Sequence, residues 1–198
     1  MRVFLFLCAF TLLFPSLNAA ADVSDKTVAN AKAFVQDMTS EGIGLIQNQT
    51  DDPAALTKSF RTLLNRDFDM DYIGRFAMGR YWRGMNASQQ KEYLSLFEDM
   101  IVDVYSKRFQ DYDGQKLVVN SARPDGKYDV LVNSAIIPPS GPKIRVDWRV
   151  REKNGRYKVI DIMVEGVSMA LTQRSDFSSV IQRGGGDVEV LIEHLKKY

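Results

Sequence analysis

Apolar residues recur every three or four positions through the first half of the chain and alternate every second position through much of the second. Val28, Ala31, Val35 and Met38 share one helical face, with Gly42 and Gly44 blurring where that helix ends. Asp52 before Pro53 is an N-cap followed by proline at the first helical position, and Leu56, Phe60, Leu63 and Leu64 form the next apolar face. A third helical segment spans Tyr72 to Trp82 and carries Ile73, Phe76, Ala77 and Tyr81; Asp67, Asp69 and Asp71 suit its positive start. Asn86 with Gln89 three residues on has the form of a capping box. The helix it opens has the clearest period: Tyr93, Phe97, Met100, Val104 and Phe109, with a stop near Tyr112-Asp113-Gly114.

Beyond that stop the period becomes two. Lys116–Ser121 reads as a strand, with Arg123-Pro124-Asp125-Gly126 as the turn after it. Tyr128, Val130 and Val132 begin a second strand. Ile144, Val146, Trp148 and Val150 alternate with Arg145, Asp147, Arg149 and Arg151 in a third. Asn154-Gly155 is a hairpin signal, and Tyr157 to Val164 is the fourth strand, with Ile160, Ile162 and Val164 on one face. Two short helices follow, about Asp176–Gln182 and Val188–Lys197. The expected fold is α+β: an antiparallel sheet of about four strands covered by helices, a cone of the nuclear-transport-factor type with a helical lobe. The helical half is 22–112, the sheet half 116–165 and the C-terminal helices 168–198.

The N-terminus changes where this domain is expected to work. Arg2, the apolar run Val3 to Phe14 and the small residues Ala19-Ala20-Ala21 have the form of a secretory signal peptide spanning residues 1–21. The run is too short for a membrane span, which needs about 20 residues. Cleavage after Ala21 removes Cys8, the only cysteine, and one of 26 basic residues, leaving these equal to the 25 acids. A neutral chain has no long-range attraction to nucleic acid. Without thiols it depends on its core alone in an oxidising compartment.

Candidate chemistry is sparse. Asp67-Phe68-Asp69-Met70-Asp71 begins like a calcium loop, but Tyr72 and Met78 stand where glycine and glutamate belong. Gly184-Gly185-Gly186 lacks the strand and lysine of a phosphate loop. His194 is the only histidine, so no zinc site or serine triad is expected. Asp129, Asp147 and Asp161 fall on positions expected to face water, leaving Glu165 as the acid nearest a cone opening. Neither a catalytic constellation nor a cofactor site emerges. The interior is instead rich in large pliable side chains (Phe76, Met78, Phe97, Met100, Trp148, Met163, Met169), which periodicity reads equally as packed core or as cavity lining.

Ile73-Gly74-Arg75-Phe76-Ala77-Met78-Gly79-Arg80-Tyr81-Trp82-Arg83 resembles the signature of the MlaC, or toluene-tolerance, family of periplasmic phospholipid carriers. Gln89, Tyr93, Phe97, Tyr112-Asp113-Gly114, Val146-Asp147-Trp148-Arg149, Tyr157 to Asp161 and Val164-Glu165-Gly166-Val167-Ser168-Met169 follow that pattern in the same order. The resemblance implies a soluble periplasmic shuttle, not an enzyme. Its partners would be an outer-membrane lipoprotein complex and an inner-membrane ABC transporter with a domain of mammalian-cell-entry type, and its effect the maintenance of outer-membrane lipid asymmetry. It implies a phospholipid, or another lipid such as a hopanoid, held between sheet and helices. On that basis Val146, Trp148, Ile162 and Val164 on the sheet would face Phe76, Tyr81, Phe97 and Tyr105 across the lipid, with Val167 and Met169 at the rim. A small-molecule enzyme on the same cone is the alternative, as is an adaptor that carries nothing and docks through the outward Arg145, Arg149 and Arg151.

Overall fold

The computed structural model describes residues 23–49 and 51–198; the expected leader, 1–21, lies outside the described residues. The first helix, α1 (Asp25–Gln49), runs unbroken through Gly42 and Gly44. Packing overrides the glycine penalty of about 1 kcal/mol each: Gly42 lies against Leu63 of α2 (Pro53–Asp67), and Arg66 bridges to Glu41 at 2.8 Å. Asp52 caps α2 by accepting the Ala55 amide at 2.9 Å, and Asp69 caps α3 (Met70–Met78) through Tyr72 at 3.0 Å. Gly79 (φ 60°) ends α3 earlier than the pattern predicts, and a 3-10 turn carries Gly79–Gly84. The capping box is present, with reciprocal Asn86–Gln89 bonds of 2.9 and 3.0 Å opening α4 (Ala87–Arg108).

The sheet is an antiparallel meander of five strands in sequence order: β1 (Lys116–Asp125), β2 (Asp129–Ile137), β3 (Ile144–Lys153), β4 (Arg156–Val164) and the short β5 (Val167–Ser168). Strand β1 continues through the expected turn residues Arg123 to Asp125, so the turn comes only at Gly126 (φ 67°). A second departure is a bulge at Ile160: Val150 opposes Val159 whereas Arg149 opposes Asp161. The extra residue shifts the alternation, so Val159, not Ile160, joins Ile162 and Val164 on the face shared with Val150, Trp148 and Val146. Helix α5 (Met169–Arg183) starts at Met169 rather than Asp176, because Ser168 accepts the Leu171 amide at 3.1 Å and caps it. A last helix, α6 (Glu189–Leu195), closes the described chain.

Two cores result. One joins Ala31, Val35, Met38 and Leu63 to Val130, Val132, Val146, Trp148, Val150 and Val159, filling the space between α1, α2 and one face of the sheet. The other is helical and joins Met78, Tyr93, Phe97, Phe177, Ile181, Leu191 and their neighbours. Tyr93 stacks on Phe97 at 5.9 Å and meets Phe177 edge-on at 6.0 Å, and its hydroxyl donates to Gly74 O at 2.9 Å. Among the described residues no helix is long and apolar enough to cross a membrane.

Candidate functional site

Residues Val164 to Met169 build one corner of the sheet. Glu165 (φ 50°) and Gly166 (φ 82°) form a two-residue hairpin that pairs Val164 with Val167; positive φ at both positions matches the natural twist of the strands. The Glu165 carboxylate accepts the Arg145 amide hydrogen, and the Glu165 amide returns a bond to Arg145 O at 3.0 Å. A Cβ on Gly166 would stand 2.8 Å from Arg145 Nη2.

Asp161 lies beneath this corner. Expected to face water, it is buried, because the start of α5 covers it: Ser168 Oγ donates to Oδ2 at 2.7 Å and the Ala170 amide donates to Oδ1 at 3.1 Å. Arg149 approaches at 3.4 Å and is also held by Asp125 at 2.7 Å. Asp147 is likewise buried rather than wet, accepting from Asn133 at 2.9 Å with Arg145 at 3.4 Å. Asp129 holds Arg151 through two bonds of 2.6 and 2.9 Å, and the same guanidinium lies 4.9 Å from the ring centre of Tyr72. Glu165, the acid expected nearest a cone opening, and Asp161, expected to face water, thus hold strand, turn and helix together.

The apolar positions at the same corner form a graded row. Val146 and Trp148 are buried beneath α1; beside them Val164 pairs with Val146 and with Val167, which is 55% exposed. Ile136 pairs with Ile144, also exposed, and Leu171 beyond Ser168 is 57% exposed. Trp148 sits with its Nε1–H on Ser134 Oγ at 3.0 Å, and Ser134 donates on to Val146 O at 2.7 Å. The structure therefore joins Val146, Trp148, Ile162, Val164 and Val167 into one surface from core to solvent, with Met169 half-buried at the start of α5.

The helical candidates lie elsewhere. Phe97 is in the helical core and Tyr81 packs against it. Phe76 stacks on Tyr72 at 6.4 Å under the Arg174 guanidinium, and Tyr105 lies half-buried beside Arg108. The helical candidates do not join the sheet row in one core: Phe97 and Tyr81 go with the helical core, Val146, Trp148 and Ile162 with the sheet core, and Phe76 and Tyr105 with neither. Two clefts open elsewhere. One of about 580 Å³ lies between α2, α4 and the C-terminus, lined by Leu56, Arg61, Asp99 and Tyr198 among others, and one of about 670 Å³ lies at the β3–β4 turn beside Asp69, Lys153 and Arg156. None of the ten candidates lines either cleft. Sequence reasoning missed Ser134 and Val159 in the row, the first for want of any pattern signal and the second because of the bulge. Phe34 and Leu45 of α1 were legible as continuations of its spacing. No group of three metal-ligating side chains occurs among the described residues.

The model of the MlaC protein family matches residues 36–197. The chain belongs to the MlaC family. It is 24% identical, over 135 residues, to the intermembrane phospholipid transport system binding protein MlaC of Haemophilus influenzae, a match covering 64% of this chain and 63% of that one. It is 23% identical over 185 residues to the toluene tolerance protein ttg2D of Pseudomonas putida, covering 91% and 83%. The fold is similar to that of a phospholipid-binding protein from Ralstonia solanacearum solved in complex with a phospholipid: the TM-score is 0.73 at 23% identity, covering 84% of this chain and 95% of that one. Within an MlaC fold, Val164 to Met169 is thus a structural latch at one end of the apolar row.

Proposed function

We propose that this protein is a periplasmic phospholipid carrier, not an enzyme, which shuttles lipid between an outer-membrane complex and an inner-membrane ABC transporter bearing a mammalian-cell-entry domain. The observation that carries this reading is membership of the MlaC family together with a fold shared with a phospholipid-bound protein over 95% of that protein's chain. In this reading the acyl chains lie along the row Val146, Trp148, Ile162, Val164, between the sheet and the helices, with Val167 and Met169 at the rim.

The energetics fit such a device. Two acyl chains of about 16 carbons hold about 28 methylenes, and at ~0.8 kcal/mol each their exposure would cost roughly 20 kcal/mol. They must be enclosed almost completely. A rigid dry cavity of ~800 Å³ would cost a similar amount at ~24 cal/mol per Å³, more than a domain's whole stability. A carrier of this kind therefore closes when empty, and the two packed cores suit a closed form in which α1 and α2 have settled onto the sheet. The same packing favours a second reading, an adaptor that carries nothing. Transfer separates the two. Small amounts of the purified protein should accelerate movement of a fluorescent phospholipid from donor to acceptor vesicles; folded protein that leaves the rate unchanged would favour the adaptor.

A further inference from the structure

The arginines of this chain differ in their partners. Several on the sheet and on α2 are committed to acids: Arg61 to Glu98 and Asp99, Arg66 to Glu41 and Asp67, Arg145 to Asp147, Arg149 to Asp125 and Asp161, and Arg151 to Asp129, whereas Arg123 and Arg156 at the sheet ends are in no ion pair among the described residues. The outward arginines expected at an adaptor's docking face, Arg145, Arg149 and Arg151, are each paired with an acid within the fold. A second group stands at the corner of α3, the 3-10 turn and α5. There Arg75 lies over Trp82 at 5.4 Å, Arg80 over Tyr81 at 5.0 Å and Arg174 over Phe76 at 5.4 Å. Among the described residues Arg83 takes part in no ion pair or ring contact, and the one acid paired with the group is Asp71, 4.0 Å from Arg75. All four are exposed.

The corner is continuous. Arg174 covers Gly79 so closely that a Cβ there would stand 2.7 Å from its Nε. The Tyr81 hydroxyl accepts from Arg80 at 3.0 Å and is also held by Ser178 and Gln182, one and two turns along α5 from Arg174. A guanidinium stacked on a ring is oriented and partly desolvated by it, while its in-plane N–H groups stay free for a planar, bidentate acceptor. Three guanidiniums so stacked, with the exposed Arg83 beside them and one acid at 4.0 Å, call for acidic groups from outside in a chain otherwise close to neutral.

We propose that Arg75, Arg80, Arg83 and Arg174 form a docking surface for an acidic segment of a protein partner. Arginine, tyrosine and tryptophan together are the composition of protein-interface hot spots. Of the exposed aliphatic side chains that a bilayer would take up, Ile144 and Val167 belong to the apolar rim, and Leu171 stands one turn before Arg174 between rim and patch. The surface begins about 8 Å along α5 from Met169, given 1.5 Å per helical residue, so a partner seated there would lie beside the rim. This deepens the carrier reading and rests on it only for the purpose of docking.

The test uses the full mature chain and a fluorescent deca-glutamate peptide as probe, at low and at moderate salt. R80E/R83E touches no buried contact, and R174E provides a second, independent variant. Each should weaken peptide binding at least tenfold, whereas the control K153E/R156E, at the opposite hairpin end, should leave it within twofold. Equal weakening by the control, or binding to vesicles containing phosphatidylglycerol but not to the peptide, would overturn the proposal. Lipid content after organic extraction is measured on each variant. An unchanged lipid content with lost peptide binding isolates the docking role, while lipid-free wild type would sink the carrier reading without touching the docking result.

Discussion

Single residues at the β4–β5 corner explain why the Val164-to-Met169 stretch is so particular. Asp161 accepts from Ser168, Ala170 and Arg149 in a buried setting, so Asp161→Ala strands two buried donors and leaves Arg149 to Asp125 alone. The expected cost is about 2–4 kcal/mol in urea unfolding. A catalytic Asp161 would instead leave stability nearly unchanged. Gly166→Ala meets both a φ of 82° and the Arg145 guanidinium, and should cost about 1–2 kcal/mol. Tyr93 titrates in the same logic. Burial raises its phenol above the ordinary 10.0, so the unfolded chain releases this proton first. Stability from Tyr93 is therefore fully present below pH 10 and lost as pH rises above it. Tyr93→Phe should flatten the alkaline end of the stability profile while costing about 1 kcal/mol at neutral pH through the lost bond to Gly74.

Elements with a strong local signal were legible in the sequence. The Asp52-Pro53 start, the Asn86–Gln89 box and the Asn154-Gly155 hairpin all sit where the residues predict, because each is decided by neighbours in the chain. Asn86→Ala should accordingly cost about 1 kcal/mol, read as a melting shift of about 2–4 °C. What was not legible depends on distant contacts. Packing on α2 carries α1 past Gly42, the Ser168 cap draws α5 back to Met169 and over Asp161, and the Ile160 bulge changes which face Val159 serves. The site shows the same division. Alternation along β3 and β4 placed Val146, Trp148, Ile162 and Val164 on one surface, whereas no helical pattern could say that Phe97 and Tyr81 would join the helical core while Phe76 and Tyr105 stay outside both cores.

At the scale of the whole molecule, the account is of a sheet that offers an apolar row from a buried tryptophan to an exposed valine, and of helices that close over it when no lipid is present. Val164→Trp fills that row at its half-buried middle. It should reduce bound lipid several-fold while moving the melting temperature by only about 3 °C, since the added ring occupies space that lipid would otherwise take. The most direct measurement is organic extraction of the mature protein purified without detergent, followed by mass spectrometry of the extract against protein amount. The account predicts close to one phospholipid per chain. Fully folded protein that yields no lipid, and takes none up from vesicles, would contradict it.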